Sequence, residues 1–437
     1  MSASPAPEVI TLGCRLNIAE SENIRAQLGH RDVVVVNSCA VTNEAVRATR
    51  TAIRRARRAR PLAELVVTGC AATIDPAAFE AMPEVTRVVG NLDKLAPANW
   101  TLPSPFASSE VEKHGPGTGF STSLETNGAL GHQAFHGHAR ALVEVQNGCD
   151  HRCTFCAIPF GRGDSRSVPA GAVVDRIAGL VDAGHNEVVL TGVDLTSYGA
   201  DLPGAPSLGH LVERILKLVP ALPRLRLSSL DGIEIDDRLF ALLTQEPRVM
   251  PHVHLSLQAG DDMILKRMKR RHTRAQSVAL VQRLKAARPE IAIGADLIAG
   301  FPTEDETMFA NTLALIADCE IVHAHIFPYS PRSGTPAARM PQVTPVVVKA
   351  RAARLRARAA EQRAAWLETL VGTEQRVLVE APGNRGHAEN FAEVLLDRDF
   401  AVGTLETVIP AQAGMNSLSA QLIDSRLRGN DEGKVAA

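Results

Sequence analysis

Six of the seven cysteines in this 437-residue chain fall into two sets of three. Thiolate sulfur is a preferred ligand of zinc and of iron–sulfur clusters, so each set is a candidate metal centre. An odd number of cysteines in a chain of this length argues against a disulfide framework. The first set is Cys14, Cys39 and Cys70, the second set is Cys149, Cys153 and Cys156, and Cys319 stands apart.

The second set lies in one short segment, GCDHRCTFC (148–156), with the spacing C-x3-C-x2-C. Three thiolates on one loop can hold three irons of a 4Fe–4S cluster and leave the fourth iron open to another ligand. A structural zinc loop with His151 as the fourth ligand is the alternative, but such sites usually combine two separated pairs of ligands. The spacing therefore favours the cluster.

The first set is dispersed, but each of its cysteines follows a predicted parallel strand by one to three residues. Loops after the carboxyl ends of parallel strands share one crevice, so these side chains should meet although they are distant in sequence. Buried free cysteines are the alternative. Three cysteines in equivalent positions favour a second three-thiolate cluster.

The elements that must position the first set alternate between short β-branched segments and helical segments. This pattern predicts an α/β protein whose N-terminal domain, residues 8–100, is an open parallel sheet. Residues 101–138 are rich in Ser, Gly, Thr and Pro, which predicts a linker. The predicted strands are 8–13, 32–37, 64–69 and 86–90, and the predicted helices are 19–28, 44–60 and 75–82.

A second, longer alternation over residues 139–342 gives six strand–helix units, too few for a closed eight-stranded barrel. It predicts an open (β/α)6 barrel with its chemistry on the loops that follow the strands. The predicted strands are 141–146, 187–192, 224–229, 252–257, 291–298 and 321–330; helices are predicted at 168–184, 261–271, 273–288 and 304–319.

The C-terminal part begins with a basic helix that is predicted to connect the barrel to a small β-domain. The helix covers residues 343–371, and the β-domain covers 372–408. Residues 409–437 do not continue the strand pattern, which predicts an atypical tail.

The amino-acid composition excludes some classes of function. With 45% hydrophobic and 22% charged residues the chain is an ordinary globular protein, and its net charge of −1 excludes a uniformly basic nucleic-acid binder. No stretch of about 18 apolar residues and no secretory signal are visible. A cytoplasmic protein that makes no membrane contact is expected.

Taken together, the motifs resemble those of the radical S-adenosylmethionine (SAM) methylthiotransferase family. The motifs that carry the resemblance are LGCRLNIAESE, NSCAVTNEA, VTGCAA, GCDHRCTFC, HLSLQAGDD, GFPTEDE and FPYSPRSGTPA, which occur in order between about residues 8 and 395. The resemblance implies two 4Fe–4S clusters, an auxiliary one on Cys14, Cys39 and Cys70 and a SAM-binding one on Cys149, Cys153 and Cys156. It also implies a C-terminal RNA-binding β-barrel, the TRAM domain.

The activity that the resemblance implies is replacement of an unactivated C–H bond by C–S–CH3. One SAM supplies the methyl group through a sulfur at the auxiliary cluster, and a second supplies a 5′-deoxyadenosyl radical. A reductant, such as a flavodoxin- or ferredoxin-like protein, is the expected electron donor. Because the chemistry belongs to the cofactors, the protein is expected to orient the reactants and exclude water.

The rim loops of the barrel are the expected SAM site. The residues expected to bind SAM are Gly192, Asp194, Ser229, Gln258 and Asp296. Gly192 would allow close approach of the backbone to a ligand. For any single polar residue among them, an ordinary capping or turn role is the alternative.

The spelling of the cysteine motifs separates the branches of the family. CRLN and CAVT resemble the branch that acts on N6-threonylcarbamoyladenosine next to the anticodon of tRNA. The alternatives are the isopentenyladenosine branch, which usually reads CQMN and CSVR, and the branch that modifies a ribosomal-protein aspartate, which usually reads CPKN. The threonylcarbamoyl group carries a carboxylate, and Arg332 is the candidate for a bidentate contact with it.

Two arginine-rich runs, Arg47 to Arg60 and 266–274, predict a local positive face for tRNA, with solvated helix faces as the alternative. Three features depart from the family pattern: a short interval between Cys14 and Cys39, a long linker, and the tail. The tail indicates an incomplete TRAM domain or its replacement by foreign sequence. A non-catalytic iron–sulfur RNA-binding or sensor protein remains the alternative from a different functional class.

Overall fold

The structure is a computed structural model that describes residues 6–100 and 138–422. The predicted linker, 101–138, and the end of the predicted tail therefore lie almost wholly outside the described residues. The contacts divide the chain into two units. Of the described residues, the N-terminal unit comprises 6–100 together with 157–164, and the barrel unit comprises 138–156 and 165–422.

The N-terminal unit contains a four-stranded, all-parallel sheet in the order β1-β2-β3-β4. Its strands are β1 (Glu8–Thr11), β2 (Val33–Ser38), β3 (Glu64–Gly69) and β4 (Arg87–Val88). Its helices are α1 (Arg15–Gln27), α2 (Asn43–Ala59), α3 (Cys70–Ile74), α4 (Pro76–Glu80) and, from the chain after the second cysteine set, α5 (Ile158–Arg162).

Local sequence explains most of these elements. All six residues of β2 are buried, as expected for a β-branched strand of a sheet covered on both faces. The Thr42 hydroxyl accepts a hydrogen bond from Ala45 N at 3.1 Å, and the Asp75 carboxylate accepts one from Ala78 N at 3.3 Å, so α2 and α4 begin at side-chain caps. The open parallel sheet predicted from sequence is thus confirmed.

The barrel unit contains six parallel strands in two three-stranded sheets, with one parallel bridge from Leu230 to Leu255 between them. The sheet orders are β5-β8-β9 and β10-β11-β12, and β6 pairs with β7 as a short antiparallel ribbon. The strands are β5 (Ala141–Glu144), β6 (Gln146–Asn147), β7 (Arg166–Ser167), β8 (Glu187–Thr191), β9 (Arg224–Leu227), β10 (His252–Gln258), β11 (Ala292–Ala299) and β12 (Ile321–Pro328). The predicted open six-stranded barrel is confirmed.

Helices cover the strands of the barrel. They are α6 (Ala170–Asp182), α7 (Leu208–Leu218), α8 (Asp237–Gln245), α9 (Asp262–Met268), α10 (Arg274–Ala287) and α11 (Glu306–Asp318). The sequence analysis gave no ranges for α7 and α8, although its six strand–helix units require helices there. It also extended α9 to residue 271, whereas Lys269 adopts a left-handed conformation that ends the helix.

The C-terminal helix α12 (Pro345–Thr369) leads into a closed five-stranded barrel in the order β13-β14-β15-β17-β16. Its strands are β13 (Gln375–Glu380), β14 (Arg385–Ala388), β15 (Glu393–Leu396), β16 (Leu405–Ala413) and β17 (Leu418–Leu422). The predicted domain end at residue 408 is therefore wrong, because β16 and β17 close this barrel. Pro410 lies within β16, and a proline ordinarily argues against a strand. It is tolerated here because it lies beside a register shift, where a residue without an N–H group can be accommodated.

No helix among the described residues is both long enough and apolar enough to cross a membrane.

Candidate metal centres

The second cysteine set lies directly after β6, where Gly148 turns the chain with a φ of 74°. The side chain of Gln146 stabilises this turn by hydrogen bonds. Its buried side-chain amide donates to the carbonyl of Gly148 at 2.9 Å, and its Oε1 accepts the backbone N–H of Asp194 at 2.8 Å. Gln146 thereby ties the cysteine loop to the loop that follows β8.

Thr154 anchors the middle of the cysteine loop. Its N–H donates to the carbonyl of Met268 at 3.1 Å, and its hydroxyl donates to the carbonyl of Arg267 at 2.8 Å. Phe155 packs edge-to-face on Phe301 with the ring centroids 6.4 Å apart. These contacts are made between the cysteines, so the loop is held while its three sulfur-bearing residues stay only half-buried.

The first cysteine of this set contacts a carboxylate. The Cys149 thiol donates to Asp194 Oδ2 at 3.7 Å, and the same oxygen lies 2.9 Å from His151 Nε2. Burial, followed by the charge of Asp194, raises the pKa of Cys149 to about 12. Burial alone would raise the pKa of Asp194, but hydrogen bonds from His151 and Ser197 hold it below its ordinary value. Iron binding at Cys149 would therefore release a proton.

The second cysteine of the set contacts a cation. Arg270 Nη1 lies 3.8 Å from Cys153 Sγ, while its Nη2 donates to Asp231 Oδ2 at 2.9 Å and to the carbonyl of Ser256 at 3.0 Å. Both Arg270 and Asp231 are buried side chains. A guanidinium held in this way can donate a hydrogen bond to a metal-bound sulfur.

The residues predicted to bind SAM occupy the rim with one exception. Gly192 and Asp194 follow β8, Ser229 follows β9, and Gln258 ends β10 with a φ of 66°. An added Cβ at Gly192 would lie 2.9 Å from Gln146 Oε1, so this glycine is required by packing against Gln146. Whether these side chains bind SAM stays a prediction.

Asp296 is the exception, because it lies within β11 rather than on the loop after it. Its Oδ1 is 3.0 Å from His254 Nε2 on β10 and 3.1 Å from His325 Nδ1 on β12. Burial alone would raise the pKa of Asp296, but the two imidazoles hold it well below its usual range. The sequence prediction did not single out either histidine, although their alternation in HVHLSL and IVHAHIF places them on one face of each strand.

The first cysteine set is gathered in the N-terminal unit as predicted. Cys14 caps α1, Cys39 follows β2, and Cys70 begins α3 directly after β3. An added Cβ at Gly13 would lie 2.9 Å from Cys39 Sγ, and the pKa of Cys39 is raised by burial and also by the neighbouring Cys14 and Cys70. The carboxyl ends of three parallel strands thus bring three thiols into one crevice.

Asn17 connects the loops of this set. Its amide nitrogen donates to the carbonyl of Leu12 at 2.6 Å and to that of Ser38 at 3.0 Å. These carbonyls precede Cys14 and Cys39, so one buried side chain fixes two of the three cysteine loops relative to each other.

A buried ion trio lies beneath the same loops. Glu20 contacts Lys94 Nζ at 2.5 Å and Arg162 Nη1 at 2.8 Å, and all three side chains are at most 2% exposed. Burial alone would raise the pKa of Glu20, but Lys94 and Arg162 lower it to about 2. The sequence prediction missed the trio, since Arg162 is 142 positions from Glu20 and no local pattern relates them.

The donor chemistry of both sites fits 4Fe–4S clusters. Each site presents three thiols, which could hold three irons of a cluster and would leave the fourth iron open to another ligand. Among the described residues, the three-ligand groups compact enough for a single ion contain no cysteine. His151, the fourth ligand in the zinc alternative, instead contacts Asp194.

The arginine-rich runs are only partly available to a partner. In α2, Arg57 donates to the carbonyls of Glu84 and Ala63, and Arg60 is paired with Asp32. In the second run Arg270 faces Cys153, and Arg274 is paired with Asp318. The side chains of these runs that stay exposed include Arg47, Arg54, Arg55, Arg58 and Lys266.

Two family models match the chain. Residues 143–316 match the Radical SAM superfamily, and residues 7–90 match a family described as Uncharacterized protein family UPF0004. The first range covers the barrel with the C-x3-C-x2-C loop, and the second covers the sheet with the dispersed cysteines. The fold and the loop thus have the form of a radical SAM enzyme.

Curated relatives extend over nearly the whole chain. The threonylcarbamoyladenosine tRNA methylthiotransferase MtaB of Rickettsia prowazekii is 47% identical over 402 residues, 91% of this chain and 93% of that one. The protein of the same name from Thermotoga maritima is 32% identical over 98% of both chains. The tRNA-2-methylthio-N(6)-dimethylallyladenosine synthase of Erythrobacter litoralis is 32% identical over 95% of this chain and 97% of that one. The chain belongs to the radical SAM methylthiotransferase family.

Proposed function

We propose that the protein methylthiolates C2 of N6-threonylcarbamoyladenosine next to the anticodon of tRNA. The observation that carries the proposal is the division of six cysteines into two sets of three in two different units, the first after three parallel strands and the second directly after β6. The 47% identity to a threonylcarbamoyladenosine tRNA methylthiotransferase supports this choice of substrate. The 32% identity to a dimethylallyladenosine synthase makes that modified base the second candidate.

Cys149, Cys153 and Cys156 would hold the SAM-binding cluster, and Cys14, Cys39 and Cys70 the auxiliary one. When bound, the clusters and SAM supply one-electron reduction, a carbon radical and the sulfur for transfer. The side chains of the protein would position the cysteine loop and hydrogen-bond to its sulfur atoms. Gln146 and Thr154 fix the loop, and Arg270 offers a hydrogen bond to the sulfur of Cys153.

The rim of the barrel is the proposed SAM site. Gly192, Asp194, Ser229, Gln258 and Asp296 are its proposed contacts. A flavodoxin- or ferredoxin-like electron donor is part of the proposal.

The substrate's carboxylate is proposed to contact Arg332. This half-exposed residue follows β12, and its carbonyl accepts bonds from the N–H of Thr335 at 3.1 Å and from its hydroxyl at 2.7 Å. The turn therefore holds the backbone of Arg332 in place. Exposed arginines of α2, such as Arg47 and Arg55, are proposed to contact tRNA phosphates.

Cysteine variants test the division of labour between the two sites. Changing Cys149, Cys153 and Cys156 to Ala should abolish SAM cleavage to 5′-deoxyadenosine. Changing Cys14, Cys39 and Cys70 to Ala should retain cleavage but give no methylthio product, because radical generation needs only the barrel site. Both products are quantified by mass spectrometry after anaerobic turnover with dithionite. Normal methylthio product from the N-terminal variant would reject the auxiliary site.

A further inference from the structure

The guanidinium of Arg162 is a buried cation that the activity does not explain. Arg162 ends α5, six residues after Cys156 in sequence, yet this segment belongs to the N-terminal unit. Its Nη1 donates to Glu20 Oε1 at 2.8 Å, and its Nη2 donates to Glu20 Oε2 at 3.1 Å and to Asn17 Oδ1 at 2.6 Å. Three hydrogen bonds thus fix the position of its charge.

That position is beside the first cysteine set. Asn17 Oδ1, which accepts from Arg162, also accepts from the Cys14 thiol at 4.0 Å, so guanidinium and sulfur share one acceptor atom. The preceding residue, Gly161, packs on the third loop of the set: a Cβ added there would lie 3.2 Å from the Cβ of Cys70. A side chain at residue 161 would therefore require Cys70 or α5 to shift by a few tenths of an ångström.

The charges around Arg162 do not cancel within their own group. Lys94 and Arg162 share one carboxylate, that of Glu20, so the trio carries one net positive charge at three almost fully buried side chains. Burying net charge is unfavourable unless an opposite charge lies nearby. Ionised thiols of Cys70 and Cys14 would supply it, and both favour the charged form of Arg162.

We propose that Arg162 is a positioning residue of the auxiliary cluster, with its fixed positive charge offsetting the negative charge of the thiolate-bound cluster. One-electron reduction makes such a cluster more negative, so a neighbouring cation raises its reduction potential. The proposal rests on the auxiliary cluster of the proposed function, and it assigns an electrostatic role to a residue outside the cysteine motifs.

The test uses the full chain with Cys149, Cys153 and Cys156 changed to Ala, so that the cluster measured is the auxiliary one. The protein is reconstituted anaerobically with iron and sulfide, and its midpoint potential is determined by dithionite titration followed by electron paramagnetic resonance. Arg162→Gln should lower the potential, and Glu20→Gln, which removes the negative member of the trio, should raise it. Arg162→Lys should stay closer to the parent, and Arg25→Gln, at an exposed arginine of α1 in the same unit, should leave the potential unchanged.

Opposite shifts for Arg162→Gln and Glu20→Gln support the proposal, because a merely structural role would not reverse sign with charge. Shifts in the same direction, or none, would overturn it. If Arg162→Gln does not retain iron, the Glu20→Gln variant tests the proposal alone. A higher midpoint potential supports it, and a lower or unchanged potential overturns it. A parent protein that binds no iron would reject the auxiliary cluster itself, and so the proposed function, whereas an iron-loaded parent with unshifted variants would reject only the role of Arg162.

Discussion

Glu187 and Arg226 form a buried ion pair inside the barrel, with Glu187 Oε1 2.9 Å from Arg226 Nε and both side chains at most 1% exposed. Arg226 also donates to the carbonyl of Glu389 at 3.0 Å, which belongs to the C-terminal β-domain. Burial alone would raise the pKa of Glu187, but Arg226 and Arg140 hold it well below its usual range. The pair therefore fastens the β-domain to the barrel within one unit.

Glu187→Ala should destabilise the protein by about 3–5 kcal/mol, because it leaves buried guanidinium groups without their carboxylate. Urea unfolding of the apoprotein, followed by circular dichroism, measures the change. The matched control is Glu213→Ala, which breaks the exposed pair with Arg238 and should cost less than about 1 kcal/mol. An equal decrease in the free energy of unfolding in the two variants would show that the buried pair stabilises the protein no more than the exposed one.

The iron content should report two separate sites. Replacing Cys149, Cys153 and Cys156 by Ala should remove about half of the iron of the reconstituted protein, since the other set lies in a different unit. Replacing Cys14, Cys39 and Cys70 should remove the other half. Cys319→Ala is the control, because Cys319 is buried at the end of α11 and belongs to neither set. Loss of all iron in either triple variant, or zinc in its place, would contradict the two-cluster arrangement.

Arg332→Lys should weaken use of threonylcarbamoyladenosine tRNA more than it weakens uncoupled SAM cleavage. Lysine keeps the charge but loses the planar pair of donors that a carboxylate accepts. The two rates are compared in one anaerobic assay, with Arg339→Lys, in a short helical turn shortly after Arg332, as the control. An equal loss of both activities would assign Arg332 to SAM or to the fold.

Glu304 should make stability depend on pH near neutrality. Burial, opposed by the charge of Arg351 3.0 Å away, raises the pKa of Glu304 to about 7 from an ordinary value of 4.5. Between these values the folded protein binds more protons than the unfolded chain, so the Glu304 contribution to stability falls as pH rises from 4.5 to 7 and is constant outside that window. Glu304→Gln should remove roughly 1–3 kcal/mol of this dependence in urea unfolding at pH 5 and 7.5. An unchanged pH profile would show that Glu304 is ionised throughout.

Local patterns predicted most of the fold and the position of each cysteine after a strand, because these patterns act over a few residues. The valines of β2 (Val33 to Val36) predict a buried strand, and parallel strands bring Cys14, Cys39 and Cys70 to one edge. The strand that contains Pro410 was missed, since a proline ordinarily argues against a strand and only the barrel register accommodates it.

The parts of the site that were missed depend on contacts between distant residues. Arg162 reaches Glu20 because α5 belongs to the N-terminal unit, and nothing near either residue in sequence signals this. Asp296 was assigned to the rim, but it lies within β11 and contacts His254 and His325. Side-chain networks of this kind follow from strand order and register, which the sequence pattern alone leaves undetermined.

Nucleoside mass spectrometry of tRNA identifies the modified base and the reaction together. A strain that contains N6-threonylcarbamoyladenosine and isopentenyladenosine but lacks any methylthiotransferase is complemented with this gene or with its Cys149→Ala variant. We expect the 2-methylthio derivative of threonylcarbamoyladenosine with the intact gene, none with the variant, and no change in isopentenyladenosine. Methylthiolated isopentenyladenosine, or neither product from an iron-loaded protein, would contradict it.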